Sequence, residues 1–84
     1  MSTIVRTTDA IADEAIGTIA FGQEHSTWLS ALMVAIRLDA EHNQGRRVAD
    51  LATLGHYLAS DCANYLDTQS SDLRRELEAQ EVAK

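Results

Sequence analysis

Few residues in this chain could do chemistry. Its three histidines are His25, His42 and His56, and it has one cysteine, Cys62. Two imidazoles share a helical face for a metal only when they lie three or four residues apart, and no two histidines here have that spacing. Asp39 and His42 do have it, with Glu41 beside them. One carboxylate and one imidazole near a helix end fall short of a ligand set, so no metal is expected. His56 and Cys62 point to different parts of a helix and form neither a ligand pair nor a catalytic one. No cation sits one helical turn from Cys62 to favour a thiolate, so the residue reads as a small buried hydrophobe.

Nucleophilic catalysis would need an activated Ser or Cys beside a base and an oxyanion site, and there is no glycine-rich elbow or phosphate loop to build one. Asp61 and Asp67 are candidates for paired carboxylates. Neither comes with the apolar pocket that general acid chemistry requires, and both read as solvating an outer face. The sequence therefore predicts no enzyme and no cofactor.

The 84 residues carry a formal net charge of −6, which disfavours general affinity for nucleic acid or for an anionic membrane. Arg46 and Arg47 are the one basic pair near a helix start. They pair with Asp50 or Glu41, or else offer a contact for a carboxylate or phosphate. Two arginines are too few for a DNA-reading helix in so acidic a chain. A single cysteine excludes an intramolecular disulfide, and no leader pattern is visible near the start, so a cytoplasmic location is expected. The longest apolar run, Ala31 to Ile36, is far too short to span a bilayer.

The elements that must position these residues are helices. Proline is absent, glycine is sparse, and alanine and leucine are abundant, which favours an all-α fold. Residues 1–7 are expected to be loose. Thr8 or Asp9 caps a short first helix over 8–21, ended by Gly22, with a strand through Thr18–Phe21 as the alternative. Ser26 then caps an apolar helix over 26–42, and Asn43, Gln44 and Gly45 form a turn. A long amphipathic helix over 46–80 reverses the chain direction, the alternative being a break at Asp67–Ser71. The result is an antiparallel helical hairpin with a short N-terminal helix.

Within the long helix, Ala52, Gly55, Ala59, Cys62, Leu66, Gln69 and Leu73 recur at spacings of three and four, with Ala63 in the same apolar arc. Small residues in such a seam let two helix backbones approach closely. Whether the seam faces the same chain or a second copy is open. A chain this short buries roughly 60% of the surface that its unfolded form exposes. The apolar helix and the broad arc of the long one offer more nonpolar surface than one hairpin can cover. A homodimer forming a four-helix bundle removes the excess.

The expected function is that of a small acidic homodimer serving as a protein–protein interaction module, a regulator, adaptor or inhibitor of an unidentified protein. Trp28, Arg46, Arg47 and Tyr57 are the candidate partner contacts. The alternatives are a small-molecule site in the bundle, lined by Trp28, Met33, Cys62 and Tyr65, and a nucleic-acid-associated regulator using Arg46 and Arg47.

Overall fold

The computed structural model describes residues 6–83, which form two long helices joined by a short turn. Helix α1 spans Thr8–His42 and α2 spans Val48–Ala83, with 35 and 36 residues respectively. Each is about 50 Å long at 1.5 Å per residue. They pack antiparallel into a rod of 62 × 20 × 15 Å with a radius of gyration of 18.9 Å. A globular chain of this length would have a radius near 12 Å. Among the described residues there is no strand, and no helix is long and apolar enough to cross a membrane.

The expected short helix over 8–21 and apolar helix over 26–42 are one element. Gly22 does not end a helix here, because a mid-helix glycine costs only about 1 kcal/mol relative to alanine. The Leu66 side chain also packs over it: a Cβ on Gly22 would meet the Leu66 methyls at 3.7 and 3.8 Å. Nearby polar side chains that favour caps elsewhere are bonded back into the helix. The Thr18 hydroxyl donates to the Glu14 carbonyl at 2.9 Å, and Thr27 donates to Gln23 at 3.0 Å. Ser26 is an exposed interior residue rather than a cap. The strand alternative over Thr18–Phe21 fails with the break. Helix α2 is likewise unbroken through Asp67–Ser71.

Residues 1–5 lie outside the described residues, but Arg6 and Thr7, also expected to be loose, are engaged. The Thr7 hydroxyl caps α1 by accepting from the Ala10 N–H at 3.1 Å. Arg6 ties α1 to the far end of α2. Its guanidinium pairs with Glu14, reaches Glu76 at 3.0 Å and donates to the Ala10 carbonyl at 3.2 Å. The Gln80 amide donates to the Arg6 carbonyl at 2.9 Å and its oxygen accepts from Thr8 at 2.9 Å. These bonds close the open end of the hairpin. The two carboxylates, bonding to Arg6 first through hydrogen bonds and then through charge, push its pKa above the ordinary arginine value.

At the other end, Asp39 organises the turn. Its backbone carbonyl accepts from Asn43 at 2.9 Å and from Gly45 at 3.0 Å. One carboxylate oxygen accepts from the Asn43 side chain at 2.7 Å and the other from the Arg47 N–H at 2.8 Å. One residue thus closes α1 and receives the Arg47 N–H immediately ahead of α2. Gly45 takes a left-handed φ of 72°, as its expected role past the helix end requires, and Gln44 takes φ 60° beside it.

The inward residues recur at spacings of four and three, strictly alternating on α1 and with one additional four, Cys62 to Leu66, on α2. On α1 they are Ile11, Ala15, Thr18, Gly22, His25, Leu29, Leu32, Ile36 and Asp39, and all are buried or half-buried. On α2 they are Leu51, Gly55, Leu58, Cys62, Leu66, Gln69, Leu73, Glu76 and Gln80. This is the heptad of a two-stranded antiparallel pair, with its frame on α2 shifted by four residues between Cys62 and Leu66. Its register is fixed by Gly22 against Leu66 and by Gly55, where a Cβ would meet Leu32 at 3.7 Å.

Candidate functional site

A two-helix rod has only one seam, and this one hides little. Among the described residues only Ile11 (4% exposed), His25 (8%) and Gly55 are buried. Ile16, Ile19, Trp28, Met33, Leu54 and Tyr57 are all exposed. The outer faces therefore carry the candidate function.

The heptad sorts those faces. With the inward residues as positions a and d, and Ala15 and Gly55 both at a, positions e and b of the two antiparallel helices share one flank, and g and c share the other. The first flank carries Ala12, Ile16, Ile19, Met33 and Ala40 of α1, with Ala52, Ala59 and Ala63 of α2. Its e and b positions, from Ala12 to Ala40 and from Ala49 to Ala63, hold no carboxylate, in a chain with 13 of them. Arg37 is the one Lys or Arg among them; beyond Leu66 the same flank carries exposed Asp67 and Arg74.

The second flank is aromatic and acidic. Phe21 stacks on His25 with ring centroids 4.1 Å apart, His25 lies 4.7 Å from Trp28, and Phe21 meets Tyr65 at 4.1 Å across the seam. The His25 ring Nδ1 is 3.1 Å from the Phe21 carbonyl, which anchors the imidazole to its own helix. Leu54 and Tyr57 continue this flank toward the turn, and Tyr57 is 63% exposed. Exposed Glu24, Asp50 and Asp61 flank the cluster.

The expected seam residues divide. Gly55, Cys62, Leu66 and Leu73 face α1, whereas Ala52, Ala59 and Ala63 are exposed on the first flank. The arc read from sequence was broad enough to contain both directions. Trp28 and Tyr57 both lie on the second flank. Arg46 and Arg47 stand apart in the turn: the Arg47 guanidinium lies 3.7 Å from Asp50, an exposed pair that contributes little. Met33 lies on the opposite flank from Trp28 and Tyr65, so those side chains do not line one pocket within the hairpin. Among the described residues no three His, Cys, Asp or Glu side chains cluster as a metal would require.

The role of Asp39 was not found in the sequence. Its one signal there is to be a charged residue inside the apolar sector of the 26–42 segment. Asn43 bonding holds its carboxyl below the usual aspartate range, against a smaller desolvation effect that acts upward, and the Arg47 N–H adds to the lowering. No known protein family, curated protein or solved structure matches this chain.

Proposed function

We propose that the protein works as a helical homodimer whose task is to bind another protein, as a regulator, adaptor or inhibitor. The observation that carries this reading is the amount of surface the hairpin leaves open. A compact monomer of 9.2 kDa exposes about 4,900 Å², whereas this chain exposes 6418 Å². The surplus, on the order of 1,000–1,500 Å² per chain, matches what each subunit of an obligate dimer buries. A second copy supplies the missing layer of a four-helix bundle.

The aromatic flank is the surface offered to a different protein. Trp28, Leu54 and Tyr57 are large anchors of the kind that dominate binding energy. The flanking Glu24, Asp50 and Asp61, with the net charge of −6, suit a partner whose apolar contact is rimmed by Lys or Arg. Sedimentation equilibrium tests the assembly. Native purification from the source cell, comparing wild type with Tyr57→Ala, tests the partner surface. A protein retained by wild type and lost with Tyr57→Ala, while the dimer persists, supports the reading. Identical recovery with both chains removes Tyr57 from it.

A further inference from the structure

We propose that the second copy docks on the first, acid-poor flank about a two-fold axis that crosses the rod at Ser26, with α1 running antiparallel to its mate and the two turns at opposite ends. The inference rests on the dimer reading above and specifies its geometry. Two features favour this occupant over any other.

The first is charge. Two chains of net charge −6 repel each other unless their acids are kept out of the contact, and this flank excludes them from Ala12 to Ala40 on α1 and from Ala49 to Ala63 on α2, Asp67 being the first acid beyond. A basic partner would gain nothing there, whereas a second copy avoids repulsion.

The second is the order of side-chain sizes. The e positions of α1 read Ala12, Ile19, Ser26, Met33, Ala40. This series is symmetric in size about Ser26: small, large, small, large, small. A two-fold contact demands such self-complementarity, because residue i meets residue j and j meets i. An axis at Ser26 sets Ile19, 61% exposed in the hairpin, against Met33 of the mate, which is 58% exposed. Gly22 against Leu66 and Leu32 against Gly55 set the level across the seam. By that register Ala59 and Ala63 lie on either side of the axis on α2. Small side chains thus stand where the four helices come closest. The competing two-fold axis, parallel to the rod, would lay α1 over the mate's α2 and would make no use of the symmetry about Ser26.

Cysteine cross-linking separates these cases. In a Cys62→Ser background, Ser26→Cys places two thiols on the axis and oxidation should give a covalent dimer. Ile19→Cys alone should not cross-link, because its two copies lie about 21 Å apart along the contact at 1.5 Å per residue. Mixed with Met33→Cys, it should. A dimeric protein in which Ser26→Cys stays uncross-linked, or in which Ile19→Cys alone links as readily as the mixture, overturns this geometry and leaves the dimer standing. A folded chain that sediments as a monomer overturns both. All three sites are exposed in the hairpin, so the substitutions leave its own seam intact.

Discussion

Single residues set the ends of the hairpin and the fit of its seam. Gly55 is buried, yet a Cβ there would meet Leu32 at an ordinary 3.7 Å. Gly55→Ala therefore fits and gains helix propensity, and is expected to raise stability by up to about 1 kcal/mol in urea denaturation. Gly55→Leu has no such room and should lower it. Asp39→Ala removes both side-chain bonds of the turn and should lower the melting temperature at neutral pH. The sign of the pH dependence follows from the lowered pKa. The stabilising contribution is full above the unfolded aspartate pKa and disappears as pH falls through the folded one, so wild type and Asp39→Ala should converge in acid. A constant difference between them across that range would remove the carboxylate from the account.

At the scale of elements, the hairpin is clasped at both ends, by Arg6 and Gln80 at one and by Asp39 at the other. Loss of the Thr7 cap in Thr7→Ala is expected to cost about 1 kcal/mol, seen as faster amide exchange confined to the first turns of α1. Much of this level was legible in the sequence. The all-helical hairpin, the turn at Asn43–Gly45 and the unbroken long helix all follow from composition and period. The division of α1 at Gly22 did not hold, because one glycine weakens a helix by far less than a seam of apolar contacts on either side supports it. The direction of the α2 seam was legible only in part. Alanine on both edges of the apolar arc leaves the facing line undetermined until the partner helix and its register are known. The same ambiguity left the His25 stacking and the two flanks invisible.

The whole molecule is a rod whose outer faces differ in chemistry. One flank is apolar, small-sided and free of carboxylates over Ala12–Ala40 and Ala49–Ala63. The other is aromatic and ringed by acids. Exposed Ile16, Ile19 and Met33 each forgo about 1.5–3 kcal/mol while wet, comparable in sum with the stability expected of a domain this size. Ala59→Arg puts a long cation beside the proposed axis, where each copy would face the other's. It should split the dimer and, with its covering layer gone, lower the melting temperature. Arginine at exposed Asn64, on the other flank, should do neither. Sedimentation equilibrium of the wild-type chain at micromolar concentration tests the central claim most directly. The account predicts a helical species of twice the 9.2 kDa protomer mass; a single 9.2 kDa species, fully helical and melting cooperatively, would contradict it.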